Sequence, residues 1–218
     1  MNNIVDYLLI GNTRLHWAVN KNSSYKFSNT LVNDSLPKNI DLKKLIWASV
    51  GKYPTNNLLK KNQVTIKDIN LINMPHFIGI DRALACFAAL IMFKSKLSKN
   101  LLIVDLGTTV SITKIDPQGK ILGGQLFPGF TTQLKSMEKS TKNLVSPSKL
   151  YIPNNKFEIS TMNAMLRGVY NSITGAINIA FDRTKDILIL CGGDANLIGN
   201  SLKKEFKNFL IEPNLVMY

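Results

Sequence analysis

Asp105 closes the apolar run Leu101-Leu102-Ile103-Val104, and Gly107, Thr108 and Thr109 follow it. An acid at a strand end beside a tight Gly-Thr turn suits an anion held next to a cation. The turn offers backbone N–H groups to a phosphate, and the carboxylate holds the positive ion. Gly11-Asn12-Thr13 repeats the turn after Leu8-Leu9-Ile10, with Arg14 beyond it. Asp81-Arg82 has two readings. It is a carboxylate base beside a guanidinium that orients an anionic substrate, or it is a helix cap with a solvated arginine. Thr161 is either an N-cap or a substrate-touching hydroxyl, and taken alone the cap is the simpler reading. Gly192-Gly193-Asp194 follows an apolar strand. Its glycines allow close approach to a ring or sugar, with Asp194 near polar atoms or capping the next helix.

The elements that must position these residues are read from periodicity. Residues 4–19 and 101–115 each give an apolar strand, a Gly-polar-Thr turn and a return strand. Most such turns are ordinary hairpins. Two at matching places predict a duplicated domain whose hairpins face one cleft. Between them, a short strand is expected at Tyr25–Phe27, a buried strand at Leu45–Val50, a short helix at Pro54–Asn62 and a strand at Val64–Ile72. Ala83–Leu97 is dense enough in apolar residues for a buried helix, which puts Asp81 at its N-terminus. Ile121–Gly129 reads as a strand with turns, and Thr131–Ser140 as a helix. Asn143–Asn155 contains Pro147 and Pro153 and is expected to be extended. Met162–Phe181 has a long helical pattern interrupted by Gly168 and Gly175. Glycine in a helix costs about 1 kcal/mol relative to alanine, which close helix packing would justify. Asp186–Cys191 is a strand feeding a helix. A helical tail at Lys203–Phe209 and a short strand at Asn214–Met217 finish the chain.

Bulk properties narrow the classes. The 218 residues suffice for one large domain or two small ones, and 45% are hydrophobic, as in a globular chain. The longest nearly apolar run, Ala83–Phe93, is too short to span a bilayer. No basic segment precedes an apolar one at the N-terminus, so a cytoplasmic location without a signal peptide is expected. Cys86 and Cys191 read as buried reduced thiols, and two distant histidines make no zinc pattern. The net charge of +13 comes from scattered lysines. The densest stretches, Lys94–Lys99 and Lys203–Lys207, have the look of solvated helix faces. With no nucleic-acid motif, the charge is expected to attract anionic substrates such as a nucleoside triphosphate.

Four segments in this order resemble the type III pantothenate kinases, within the acetate-and-sugar-kinase/Hsp70/actin superfamily. They are Gly11-Asn12-Thr13, Gly79-Ile80-Asp81-Arg82, Asp105-Leu106-Gly107-Thr108 and Gly192-Gly193-Asp194-Ala195. Gly123-Gly124, Pro128-Gly129, and Thr161 with Ala164 and Gly168 support them. The resemblance implies an α/β fold of two ribonuclease-H-like (actin-like) halves, residues 1–98 and 99–218. Each would hold a mixed sheet flanked by helices, with the cleft between them. It implies ATP-dependent phosphorylation of the pantothenate 4′-hydroxyl, the first step of coenzyme A synthesis. It also implies a homodimer, Mg²⁺ with the ATP, and potassium or ammonium as a monovalent cation.

By the same resemblance, Asp81 takes the hydroxyl proton, and Gly79, Ile80, Arg82 and Thr161 line the pantothenate site. Asp105 holds the monovalent cation. The segment Leu9, Ile10, Gly11, Asn12, Thr13 and Arg14 belongs to the ATP site, with Thr108, Gly192, Gly193 and Asp194. Two positions depart from the pattern. Leu9 stands where the family carries an aspartate that sits near the phosphates and metal, and Asp6 faces the wrong way along the strand to replace it. The family's tyrosine ahead of the Gly-x-Asp-Arg element is not evident around Ile72-Asn73. Leu9 motivates the alternative, a nucleotide-binding regulatory or accessory protein. A related sugar or acetate kinase is a third reading.

Overall fold

The computed structural model describes residues 5–21, 24–32, 34, 40–51, 58–93, 98–203, 206 and 209–218. Two mixed sheets carry the fold. In the first, β1 (Tyr7–Ile10) pairs antiparallel with β2 (Arg14–Lys21), and β2 pairs antiparallel with β3 (Ser24–Leu31). On its other side β1 pairs in parallel with β4 (Ile46–Ser49). In the second, β5 (Asn100–Leu106) and β6 (Thr109–Ile115) form the antiparallel hairpin, with β7 (Ile121–Pro128) beside β6. Two parallel strands follow on the far side of β5: β8 (Asp186–Cys191), then β9 (Phe209–Ile211).

The two strand orders, β3-β2-β1-β4 and β7-β6-β5-β8-β9, are one pattern used twice. This is the expected α/β architecture with two ribonuclease-H-like sheets. A fifth strand is reduced in the first sheet to a single parallel bridge between Trp47 and Gln63. The strand expected at Val64–Ile72 does not form. Both the backbone N–H and the hydroxyl of Thr65 donate to the Asp68 carboxylate, 2.8 Å in each case, and the chain closes into a 3₁₀ turn at Ile66–Asp68. Local side-chain hydrogen bonds there outcompete the ladder.

Alternation sorts the hairpin residues between layers. Leu8, Ile10, Leu15 and Trp17 point to one side, into a core with Leu45 and Trp47. Leu9 and Ala48 point to the other, against helix α1 (Ile80–Phe93). α1 also packs on Leu101, Ile103, Ile115 and Ile121 of the second sheet, so it is the shared layer between the sheets. The opposite face of the second sheet carries Leu102, Val104, Leu106, Val110 and Ile112. It is covered by α2 (Phe130–Ser140), α3 (Thr161–Ala180) and α4 (Ala195–Leu202). A strand covered on both faces must be apolar throughout, which is why Leu101–Val104 is an unbroken buried run.

Several element expectations change. The third strand extends over Ser24–Leu31, held by an eight-residue register with β2, well beyond Tyr25–Phe27. Residues 54–57 of the helix expected at Pro54–Asn62 lie outside the described residues, and Lys60–Asn62 is a single 3₁₀ turn. Residues 94–97 of the expected Ala83–Leu97 helix, and much of the 203–209 tail, also lie outside them. Phe209 begins β9. Leu215–Met217 is a 3₁₀ turn instead of a strand, and it packs back on α1, β1 and β2. α3 runs unbroken through Gly168 and Gly175, and a Cβ at either would meet no atom within 4 Å. Close packing therefore does not explain these glycines within the chain. Among the described residues no helix is long and apolar enough to cross a membrane.

Candidate active site

The two hairpin turns meet. Gly11 donates its N–H to the Arg14 carbonyl at 2.9 Å and closes the first turn. In the second half β6 begins at Thr109, so the loop there is one residue shorter. The Thr108 carbonyl accepts from Gly129 N–H at 2.9 Å and from the Thr132 hydroxyl at 2.6 Å, so the start of α2 braces this turn. A side chain at Gly129 would collide with the Gly107 carbonyl, which explains the glycine after Pro128. The Thr13 and Thr108 hydroxyls lie 3.2 Å apart and join the turns.

A cavity of about 250 Å³ lies along this junction. Of the residues singled out in the sequence, Leu9, Gly11, Asn12, Thr13, Arg14, Asp81, Asp105, Thr108, Gly192 and Gly193 line it. Ile10 is turned into the core on the other face of β1. Gly79, Ile80, Arg82, Asp194 and Thr161 do not line the cavity. Thr109 of the second turn also lines it, as do His16, Asn29, Asn214, Val216 and Met217, which sequence reasoning passed over as site residues. For His16 a signal existed. Once Leu15 and Trp17 are assigned to the core, period-two alternation sends His16 to the Leu9 side.

Asp81 is the second residue of α1, so it does not occupy the cap position. Its Oδ1 accepts from the Arg82 N–H at 2.7 Å. That geometry presents the carboxylate at the cleft from the first turn of a helix, where the macrodipole favours negative charge. Arg82 turns the other way. Its Nε donates to the Thr113 hydroxyl at 2.6 Å, and its guanidinium lies against Gly124 of β7, where a Cβ would collide with it. No carboxylate among the described residues forms an ion pair with Arg82.

Asp105 sits where β5 meets Cys191 of β8. Among the described residues no group donates a hydrogen bond to its carboxyl. Burial, with the Asp81 charge second, pushes it up to about 7. The β8–α4 turn closes over it. Gly192 has φ +87°, and a side chain there would strike the Asp105 Oδ1, so glycine is required twice over. Asp194 takes the position before α4 but makes no capping bond. Its N–H reaches the Leu106 carbonyl at 2.9 Å. Desolvation raises its carboxyl, and the Arg14 charge opposes that.

Cys86 and Cys191 are both buried and unpaired. Desolvation pushes the Cys86 thiol up to about 12 and raises Cys191 as well, so neither is a nucleophile. Ser160, not Thr161, caps α3 by accepting from the Asn163 N–H at 3.2 Å, which leaves the exposed Thr161 hydroxyl without a capping role.

No group of three or more His, Cys, Asp or Glu side chains is placed to hold a metal among the described residues. Asp81 and Asp105, which line the cavity with the two turns, suit a magnesium ion carried by a nucleotide's phosphates and its own waters, helped by one or two carboxylates.

The family model described as type III pantothenate kinase matches residues 54–183. The type III pantothenate kinase of Flavobacterium psychrophilum is 30% identical, covering 96% of this chain and 97% of its own length. That of Synechocystis sp. is 27% identical over 96% of this chain and 86% of its own. Among solved structures, a Campylobacter jejuni protein described as a Baf family transcriptional activator is similar with a TM-score of 0.67. It is 20% identical, covering 97% of this chain and 92% of its own, which shows a shared fold.

Proposed function

The chain belongs to the type III pantothenate kinase family, and we propose from this premise that Asp81 is the base of an ATP-dependent phosphorylation of pantothenate. The observation that carries the assignment is the position of Asp81. It lines the same cavity as both Gly-polar-Thr turns, while the neighbouring Arg82 points out towards β6 and β7. A nucleotide's phosphates fit the side of the turns. An acceptor with a carboxylate fits the side of Arg82, whose charge is unpaired among the described residues.

The chemistry follows. Asp81 takes the proton from the pantothenate 4′-hydroxyl. The freed oxygen forms a bond to the γ-phosphorus, and the bond to the β–γ bridging oxygen breaks, releasing ADP. Backbone N–H groups and hydroxyls of the two turns position the triphosphate. Such a transfer is mostly positioning and charge neutralisation. Magnesium, when bound with ATP, neutralises phosphate charge. A monovalent cation at Asp105 would keep that carboxyl ionised. Gly79 and Ile80 hold Asp81 at the start of α1, and Thr161 offers an uncommitted hydroxyl to substrate. The edge strand β7 exposes Leu122 and Leu126, and Phe77 is 98% exposed beside the α1 entry, which supports a homodimer that covers them.

The test is ADP release by the purified chain with Mg·ATP, potassium and pantothenate. Asp81→Asn is expected to lower turnover by about 10²–10⁴-fold, the usual contribution of a general base. Leu9 supports the second reading, a nucleotide-binding accessory protein without catalysis. In that case pantothenate-dependent turnover is absent in the native chain and appears on Leu9→Asp.

A further inference from the structure

In the duplicated hairpins, Leu9 and Asp105 are counterparts, each two residues before its turn glycine. The second half therefore aims a carboxylate into the cleft where the first half aims an isobutyl group, buried to 4% exposure against α1. Directly across the ladder from Leu9 is His16, and both line the cavity. Cross-strand partners project from the same face, so His16 stands one strand away from the place a carboxylate at position 9 would occupy.

The ring faces the first turn. Asn29, its partner on β3, stands beside it and also lines the cavity. The Nε2 edge lies against the first turn, 3.5 Å from where a Cβ at Gly11 would sit. Burial keeps the imidazole below its ordinary range, with Asn29 opposing it, Arg14 acting in the same direction as burial and Asp81 against it. A neutral imidazole has one donor and one acceptor nitrogen. It can take a hydrogen bond from a metal-bound water without adding charge.

We propose that His16 is the first half's contact to the magnesium-bound triphosphate, its Nε2 accepting from the ion's hydration shell in place of a carboxylate at position 9. The idea rests on the assignment of the two turns to a nucleotide. It does not depend on pantothenate being the acceptor.

The experiment measures binding of a non-hydrolysable ATP analogue by calorimetry, with magnesium and with EDTA, in the absence of pantothenate. His16→Ala is expected to weaken the magnesium complex by about 10- to 100-fold, the range for losing an outer-shell partner of a metal. Binding in EDTA should change little. His16→Gln, which keeps a polar atom near the Nε2 position, should recover part of the loss. Leu9→Asp in the His16→Ala background should restore the preference for magnesium. Equal losses with and without magnesium in either variant, or no loss in a folded His16→Ala protein, would overturn the proposal. If the native chain binds the magnesium nucleotide but shows no pantothenate-dependent turnover, the assigned acceptor fails while the role of His16 stands or falls on its own data.

Discussion

The Thr13 hydroxyl lies 3.2 Å from the Thr108 hydroxyl, so the two turns of the duplicated fold touch across 95 residues of sequence. The contact is exposed, and an exposed pair of this kind contributes little to stability. Its meaning is positional: both turns present their N–H groups and hydroxyls to one place. Thr108→Ala or Thr13→Ala is thus expected to move the thermal midpoint hardly at all. Each should raise KM for ATP by about 10-fold or more, the loss of one hydrogen bond to a charged group. A variant that destabilises the fold and leaves KM for ATP unchanged would make the contact a structural clip.

Arg82 gives a prediction confined to the other substrate. Its Nε is fixed by Thr113 and its guanidinium lies over Gly124, away from the cavity that holds the turns. Arg82→Gln should raise KM for pantothenate by about 10- to 100-fold, the value of a charge-assisted contact, with KM for ATP nearly constant. Gly124→Ala places a methyl group against the guanidinium and the Ile112 carbonyl. It should reproduce the defect in pantothenate KM even though position 124 carries no polar group. Steady-state kinetics with each substrate varied in turn separates the two KM values.

The legible part of this molecule was its repeated hairpin. Leu101–Val104 and Tyr7–Ile10 are apolar strands ending in glycine turns, and a strand covered on both faces leaves that signature in any sequence. The glycine at 192 was legible as a turn residue after an apolar strand, and close approach of the Leu106 backbone excludes a side chain there. What escaped reading depends on partners far along the chain. β3 is long because β2 offers eight residues of register, and its own residues, mostly exposed, alternate weakly. Val64–Ile72 has strand composition, yet the Thr65–Asp68 pair turns it. Period-two alternation already puts His16 on the Leu9 side, but its place directly across from Leu9 is fixed only by the hairpin register. The close packing expected around Gly168 and Gly175 was a plausible reason for the wrong structure, since both face open space.

Asp105 yields a pH dependence whose sign is opposite to that of an ion-paired aspartate. Its native carboxyl titrates near 7, against about 3.9 in an unfolded chain, so between these values the native state holds the extra proton. Stability from this group is full below about pH 4 and is lost as pH rises through 7. Asp105→Asn removes the ionisation and should raise the thermal midpoint more at pH 8 than at pH 5. A cation beside the carboxylate relieves the same strain. Potassium chloride should therefore stabilise the native chain at pH 8 relative to choline chloride, and do nothing for Asp105→Asn. Equal potassium effects in the two proteins would remove Asp105 from the cation site.

Gly168 and Gly175 sit inside the 20-residue helix α3, where a Cβ at either meets no atom within 4 Å. Each glycine costs a helix interior about 1 kcal/mol relative to alanine. Gly168→Ala and Gly175→Ala are therefore expected to raise the thermal midpoint by about 2–4 °C each in a chain of this size. The two substitutions lie two turns apart and share no neighbour, so their effects should add. The same variants test the homodimer. If a second copy packs closely on this helix face, the added methyl group clashes across the interface. Calorimetry would then show a lower midpoint, and sedimentation a weaker dimer. A higher midpoint with unchanged association would place the dimer contact elsewhere, with the exposed Leu122–Leu126 edge of β7 the next surface to vary.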